Sequence, residues 1–251
     1  MTTLADLWQR HAGKPVAILG NGWSLARTLP HAMPTPRIGL NRVWRHCLPD
    51  YWLCIDVDVA EEAAADPDAA HLLTASTRVI SADVQDVVGA NPGDLVTGLG
   101  RIDDRVGLLH RDAVSLEFCR TGRYPGQRLR GRQPQLDTLW GENSSGDRAI
   151  HLALLMGAAE VHLFGVDLCH EPGTRRRRFS DAPPFRAGMD GRDLAAAESS
   201  EQRSRGQLAR NRRNLERVAA MWRDDVRLVC HSPAAALDGW ENPNLDDGRR
   251  R

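Results

Sequence analysis

Lysine is almost absent from this sequence of 251 residues, in which Lys14 is the only one. Arginine therefore carries nearly all of the positive charge, and 33 basic residues balance 33 acidic ones to a formal net charge of zero. A neutral total leaves no global field that would draw the chain to nucleic acid. Guanidinium groups suit phosphates and carboxylates, but genome base composition explains the arginine bias equally well and is the interpretation we prefer.

Long apolar runs are also missing. No apolar stretch approaches the roughly 18 residues that would span a bilayer. The N-terminal stretch MTTLADLWQRHAG lacks the basic-then-apolar layout of a secretory signal. We therefore expect a globular protein of the cytoplasm with no membrane span.

The five cysteines include no C-x-x-C pair, so neither a disulfide framework nor a standard zinc site is indicated. Cys47, Cys169 and Cys230 each adjoin a histidine. Neighbours on a strand point apart and seldom reach one ion, so we interpret these pairs as accidental and predict no metal site. Cys54 and Cys230 lie within apolar strand patterns and are predicted to be core residues.

Short apolar segments separated by helix-sized stretches make up most of the chain, which predicts a parallel sheet with crossover helices. The predicted fold is a single α/β, Rossmann-like domain over residues 1–251, with a mostly parallel sheet, helices on both faces and a polar, lid-like insertion. Flexible loops are expected at about 120–140 and 169–200. The candidate strands read PVAILG, PRIGLN, YWLCID, TRVIS, RVGLLH, EVHLFGVD and DVRLVC.

Three helices are predicted around these strands. Residues 3–11 form a short amphipathic pattern, an almost wholly apolar helix runs from about Asp147 to Met156, and a long polar helix ends near Trp222. The apolar helix must be buried against the sheet. Its N-terminus would point its amides at whatever lies beyond Ser144, Ser145 and Gly146.

The first strand ends in a glycine turn, Gly20-Asn21-Gly22, followed at once by Ser24, which resembles a helix start. Two glycines allow a close approach to a ligand, and the free amides of a following helix attract phosphate or carboxylate. The alternative is a tight strand-to-helix turn that binds nothing. Both interpretations stay open for this stretch alone.

Polar residues follow the next two strands in the same way. Asn41 and Arg42 follow the second strand, and Asp56 follows the third. Ligands of parallel α/β sheets bind beyond the carboxyl ends of the strands, where the connecting loops gather. Asn21, Asn41 and Asp56 are therefore expected at one ligand-binding edge.

Two segments are rich in arginine. One spans 120–132, and the other carries four consecutive arginines, Arg175 to Arg178. Four adjacent cations repel one another unless an anion binds them, which favours a mobile lid near the site. A solvated loop is the alternative interpretation.

Five blocks together resemble the signatures of a Rossmann-like superfamily. It contains the bacterial sialyltransferases of the Campylobacter type and proteins related to archaeal 6-hydroxymethylpterin diphosphokinase, among them phage and bacterial members. The blocks, which cover about half of the chain, are ILGNGWSL, IGLNR, PDYWLCID, NSSGDRAIHLALLMGAAEVHLFGVDL and VRLVCHSPAAAL.

The resemblance implies a pocket for a nucleotide or a nucleotide sugar, and it favours the phosphate interpretation of the glycine turn. In the sialyltransferases the corresponding glycine block, asparagine and Ser-Gly block contact the sugar donor. The residues expected to bind it here are Gly20, Asn21, Gly22, Ser24, Asn41, Arg42, Asp56, Ser144, Ser145 and Gly146.

The sequence also departs from the family pattern. Trp23 stands where proline is usual, and Cys169 stands where the sialyltransferases carry a tyrosine that assists departure of the donor phosphate. Their general-base histidine has no counterpart between His170 and His231. Sialyl transfer by that machinery is therefore not expected.

The leading hypothesis is a glycosyltransferase-like enzyme that uses a nucleotide-activated sugar without a metal and transfers the sugar to a hydroxyl acceptor. Such a transfer needs an anion-stabilising environment for the leaving phosphate and a base for the acceptor. Helix N-termini and arginines would stabilise the phosphate. The candidate bases are Asp167, His170 and Glu142, each of which has a structural interpretation as a cap, a loop residue or a loop-orienting group.

Three alternatives remain at this stage. ATP and magnesium would support pyrophosphoryl transfer if Asp56, Asp58 and Asp167 held the metal. A nucleotide-binding protein without catalysis is the second alternative. In the third, the acceptor is a modified base in phage DNA, contacted by the arginine-rich segments.

Overall fold

The structure is a computed structural model. It describes residues 4–96, 98–101, 138–141, 145–169, 208–216, 219–220, 222–224 and 226–244.

Seven parallel strands form the main sheet, in the order β5-β4-β3-β2-β1-β8-β9. The predicted α/β fold with a parallel sheet is confirmed. Strands β6 and β7 pair in parallel and form a separate, two-stranded sheet. The strands are β1 (Pro15–Leu19), β2 (Arg37–Leu40), β3 (Tyr51–Cys54), β4 (Thr77–Ile80), β5 (Leu95–Val96), β6 (Gly98–Arg101), β7 (Thr138–Gly141), β8 (Glu160–Phe164) and β9 (Arg227–Cys230).

In the part of the chain that the structure describes, α-helices and several short 3₁₀ helices connect the strands. The α-helices are α1 (Val57–Ala65), α2 (Ala70–Ala75), α3 (Ala82–Val88) and α4 (Ser145–Leu155), and residues 208–216 are also helical. The 3₁₀ helices cover Leu4–Leu7, Trp23–Arg27, Pro30–Ala32, Asn41–Arg45 and Pro67–Ala69. Within the described residues, no helix has the length and apolar character needed to cross a membrane.

The sheet has a core on each face because side chains alternate along every strand. On β1, Val16 and Ile18 pack on the face covered by α4, whereas Ala17 and Leu19 pack on the face covered by α1 and α3. The predicted buried helix is confirmed: every side chain of α4 from Asp147 to Leu155 is buried.

The N-terminal segment differs from the predicted helix over 3–11. Within the described residues 4–11, only Leu4–Leu7 is helical, as a 3₁₀ turn, and Gln9 has a positive φ of 56°. The Gln9 and His11 amides donate instead to the carbonyls of Leu155 and Met156, at 3.0 and 2.9 Å. The segment therefore caps the C-terminal end of α4, and these tertiary hydrogen bonds replace helical ones.

A buried ion pair fastens β5 to β4. Arg78 and Asp94 are 2% and 1% exposed, and the guanidinium donates to both carboxylate oxygens at 2.5 and 2.6 Å. The Asn91 amide and the Gln85 side chain also donate to Asp94. Burial opposes the charge of Asp94, but these hydrogen bonds outweigh it, so its pKa is lowered.

We predict that Asp94→Asn lowers the free energy of unfolding by about 3 kcal/mol, because it leaves the Arg78 cation buried without its counter-ion. Urea denaturation measures the loss. Asp86→Asn, at an exposed position of α3, is the control and should change stability by less than about 0.5 kcal/mol. Equal effects of the two substitutions would contradict the prediction.

The same pair predicts a pH dependence. Because the folded-state pKa of Asp94 is lowered, its contribution is complete above the ordinary value of 3.8 and is lost as the pH falls through the folded-state value. The stability difference between the wild type and Asp94→Asn should therefore narrow in acid. Denaturation curves at neutral and acidic pH test this, and a constant difference would argue against it.

Candidate functional site

The candidate site lies at the carboxyl edge of the sheet, where the strand order reverses. Strands β2 to β5 extend to one side of β1, and β8 and β9 extend to the other. The chain consequently leaves β1 toward one side of the sheet and β8 toward the other, and open α/β sheets bind ligands at such a point. The structure places Asn21, Asn41 and Asp56 after β1, β2 and β3, all at this edge.

The N-terminus of α4 reaches the same edge. The C-terminal end of α4 lies beside the start of β1, where the Gly13 amide donates to the Gly157 carbonyl and the Ala159 amide to Lys14. Because β8 follows at that opposite edge, α4 runs antiparallel to the strands. Its first turn, with Ser145 and Gly146, is therefore at the carboxyl edge.

The glycine turn packs against the loop that follows β8. A Cβ atom on Gly20 would lie 2.5 Å from the Gly165 carbonyl oxygen. A Cβ on Gly22 would lie 2.5 Å from both that oxygen and the Asp167 carboxylate. The Gly22 amide donates to the Gly165 carbonyl at 2.6 Å. Both glycines are thus required by close contact within the chain itself.

The buried carboxylate of Asp167 joins three loops. Its Oδ2 accepts from the Ser24 amide at 2.8 Å, and its Oδ1 accepts from the Ser24 hydroxyl at 2.5 Å and the Ser232 hydroxyl at 2.7 Å. Asp167 is 2% exposed. Its hydrogen bonds tie the loops after β1 and β9 to its own loop. This matches the structural alternative of the sequence analysis, in which Asp167 orients the adjacent loop.

This contact changes the interpretation of the glycine turn. The sequence predicts a helix start whose free amides attract a ligand anion, whereas Trp23–Arg27 is a 3₁₀ helix of five residues. The anion at its first turn is Asp167. Of the two helix N-termini expected at the edge, only that of α4 belongs to a helix longer than two turns.

Two asparagine oxygens lie buried at the edge and have no hydrogen-bond partner among the described residues: Oδ1 of Asn21 and Oδ1 of Asn41. The Asn41 amide nitrogen donates to Asp56 at 3.0 Å, which fixes the orientation of the side chain. The backbone of Asn41 is also unusual, with a φ of 48°. A buried acceptor that has no hydrogen bond lowers the stability of a protein by roughly 1–3 kcal/mol. A ligand that carries hydrogen-bond donors would therefore stabilise both groups.

Arg42 is engaged by carboxylates of α1. Its Nε donates to Glu62 at 2.5 Å, and its guanidinium lies 3.8 Å from Asp58. Glu62 also pairs with Arg45. A phosphate at Arg42 would therefore have to compete with the Glu62 carboxylate.

The carboxylates considered for a metal have separate partners. Asp56 accepts from Asn41, Asp58 lies near Arg42, and Asp167 accepts from the two serines. The described residues contain no group of three or more histidine, cysteine or acidic side chains arranged to hold a metal ion. The magnesium set of the pyrophosphoryl alternative is not assembled in this part of the chain.

Several candidates lie outside the described residues. They are Glu142, Ser144, His170, the arginine-rich segment 120–132 and Arg175 to Arg178.

The cysteines follow the predicted pattern where the structure describes them. Cys54 and Cys230 are fully buried, as predicted, and burial raises their pKa to about 12 and about 11. Cys169 is half-buried near the site. Burial raises the pKa of its thiol.

Sequence reasoning missed two residues after β9, His231 and Ser232. Ser232 holds Asp167, and the His231 ring stacks on Phe164 with centroids 4.1 Å apart. Both follow a buried strand at the carboxyl edge, as Asn21 and Asn41 do. The same positional rule, applied to β9, would have found them.

No family model matches the chain, and no curated protein matches it. Among solved structures, the chain is similar to the sialyltransferase CstII from Campylobacter jejuni in complex with a substrate analogue, cytidine-5'-monophosphate. The identity is 14%, the TM-score is 0.43, and the match covers 94% of this chain and 88% of that chain. These values are too low to transfer an activity.

We predict that Asp167→Asn lowers the free energy of unfolding by about 2 kcal/mol, because an amide nitrogen replaces one of the two accepting oxygens and the charge is lost. Thermal or urea denaturation measures the change. Asp238→Asn, at an exposed turn, is the matched control. If Asp167→Asn is no less stable than the control, Asp167 does not hold the loops together.

Proposed function

We propose that the carboxyl edge of the sheet binds a nucleotide or a nucleotide sugar, and that the chain is a glycosyltransferase-like enzyme that transfers the sugar to a hydroxyl acceptor. The observation that carries the proposal is that the buried oxygens of Asn21 and Asn41, at adjacent strand ends beside the switch point, have no hydrogen-bond partner in the part of the chain that the structure describes. Both groups require hydrogen-bond donors.

A nucleoside supplies such donors. Ribose hydroxyls and exocyclic base amines donate to amide oxygens, whereas a phosphate ester only accepts. In this proposal Asn21 and Asn41 bind the nucleoside, and Asp56 holds the amide of Asn41 in the orientation that presents its oxygen. The Gly20–Gly22 turn lines the pocket with backbone, held in place by Asp167.

The phosphates are assigned to the start of α4. This helix has 11 residues, and its first turn contains Ser145 and Gly146. Unpaired amides and the helix dipole stabilise negative charge at such an N-terminus. During transfer, the sugar–phosphate bond breaks and negative charge develops on the departing nucleotide, so the same amides would favour the reaction.

The sequence blocks add independent support. They resemble the donor-binding signatures of sialyltransferases, and the described ones cluster at this edge. Arg42 is also proposed to contact the sugar donor. The acceptor is a hydroxyl group, and a hydroxylated base in DNA remains a prediction from the sequence.

A thermal-shift screen tests the proposal directly. The full chain is heated with nucleotides and nucleotide sugars, with EDTA, with magnesium and without either. Stabilisation by a nucleotide sugar or its nucleotide product in EDTA supports the proposal and identifies the donor class. A shift that requires ATP and magnesium would favour pyrophosphoryl transfer instead, and no shift with any nucleotide would overturn the pocket.

We predict that Asn21→Ala weakens binding of the stabilising nucleotide about tenfold, since one hydrogen bond is lost. The free protein should lose little stability, because the substitution also removes an unpartnered buried oxygen. Isothermal titration and thermal melts measure the two effects. Thr74→Ala is the control: Thr74 is exposed near the end of α2, which leads into β4 at the opposite edge. Unchanged affinity in Asn21→Ala would contradict the assignment.

A further inference from the structure

Two histidines lie side by side at one end of the main sheet. Nδ1 of His162 is 3.0 Å from Nε2 of His231, and their rings stack with centroids 5.3 Å apart. The other nitrogen of His162, Nε2, is 3.1 Å from the Glu160 carboxylate. Glu160, His162 and Phe164 alternate along β8, so they share one face of the sheet, and His231 follows β9 beside them.

The carboxylate determines which nitrogens carry protons. A carboxylate only accepts, so Nε2 of His162 donates to Glu160, and in neutral His162 this leaves Nδ1 as an acceptor. Nε2 of His231 must then donate to that acceptor. Nδ1 of His231 consequently keeps its lone pair, and no described residue forms a hydrogen bond with it.

Burial, with a smaller effect of Arg227, favours a neutral His231. Arg227 on β9 contacts Glu160 at 3.1 Å and Glu241 at 2.8 Å, which holds the first carboxylate beside His162. Burial lowers the pKa of His231 to about 4, with smaller contributions from His162 and Arg227. The ring is also covered by Phe164. At neutral pH the Nδ1 lone pair is therefore available, and because a ring with this pKa is a weak base, it accepts the proton only as the hydroxyl oxygen bonds to the anomeric carbon.

His231 lies at the candidate site. It is the first residue after β9, and its amide donates to the Leu163 carbonyl of β8 at 2.8 Å. The next residue, Ser232, donates to Asp167. His231 therefore enters the same loop cluster that positions the glycine turn.

We propose that His231 is the general base of this site, oriented by a relay from Glu160 through His162; the assignment rests on the proposed glycosyl transfer. Nδ1 of His231 takes the proton of the acceptor hydroxyl, and the oxygen forms a bond to the anomeric carbon. The bond between that carbon and the nucleotide phosphate breaks, and its electron pair leaves with the nucleotide. The proton on Nε2 of His231 passes to Nδ1 of His162, so the positive charge rests on His162 beside the Glu160 carboxylate until a proton is released to solvent. His162 and Glu160 act as positioning residues.

The proton assignment is tested without any substrate. The full chain is labelled with ¹⁵N-histidine, and long-range ¹H–¹⁵N spectra identify His231 by comparison with His231→Gln. We expect Nδ1 of His231 to be unprotonated and Nε2 to carry the proton at pH ~7. A protonated Nδ1, or a charged ring at that pH, would overturn the relay.

The catalytic assignment is tested with the sugar donor found in the thermal-shift screen. His231→Gln should retain donor affinity within about twofold and lower the turnover number at least 100-fold, as loss of a general base does. Exposed His71 on α2 supplies the control, His71→Gln, which should behave as wild type. Donor binding with near-normal turnover in His231→Gln would overturn the base assignment alone, whereas absence of donor binding by the wild type would overturn the proposed function.

A second variant guards against a folding defect. Glu160 lies at the partly exposed start of β8, so Glu160→Gln should fold. It should lower turnover about tenfold with an unchanged KM, because the imidazolium loses its counter-charge while the substrate contacts remain. Wild-type turnover in Glu160→Gln would show that no relay operates.

Discussion

The carboxyl edge of this protein depends on one buried carboxylate. Asp167 accepts three hydrogen bonds from Ser24 and Ser232, which lie in loops that belong to different strands. A buried charge is tolerated only while its donors surround it. The loops after β1, β8 and β9 therefore cannot separate without exposing an unpaired anion or losing its partners. This constraint positions the glycine turn, and it operates where the strand order reverses and the loops would otherwise diverge.

The Asp167 carboxylate lies at the first turn of the helix Trp23–Arg27, so the two ends of the carboxyl edge differ in the groups they present to a ligand. The Ser24 amide is occupied by the chain itself, so the end of the edge near Trp23–Arg27 offers asparagine acceptors in place of free amides. Helix α4 is longer than the helix Trp23–Arg27, and its N-terminus favours an anionic group. A ligand with hydrogen-bond donors at one end and phosphate at the other matches this division, and a nucleotide is such a ligand.

The parallel register of β8 and β9 produces the histidine relay in a similar way. Leu163 pairs with Cys230, which brings His231 next to the end of β8. Alternation along β8 places Glu160 and His162 on the same face as Phe164. Ordinary sheet geometry thus orders a carboxylate, two imidazoles and an aromatic ring, and while the rings are neutral the acceptor-only carboxylate fixes the protons along the row.

The fold class, the strands β1 to β4, β8 and β9, and the buried helix α4 can be predicted from the sequence, because short continuous apolar runs and a helix-length apolar segment that ends at a glycine reflect local geometry. The sequence also predicts that Asn21, Asn41 and Asp56 share one edge, since that follows from parallel strands alone. How those residues are used depends on contacts between distant parts of the chain. The pairing of Arg42 with Glu62, the occupation of the Ser24 amide by Asp167, and the meeting of His162 with His231 join residues 20, 143 and 69 positions apart. Which donor meets which acceptor over such separations depends on packing, and no local pattern encodes it.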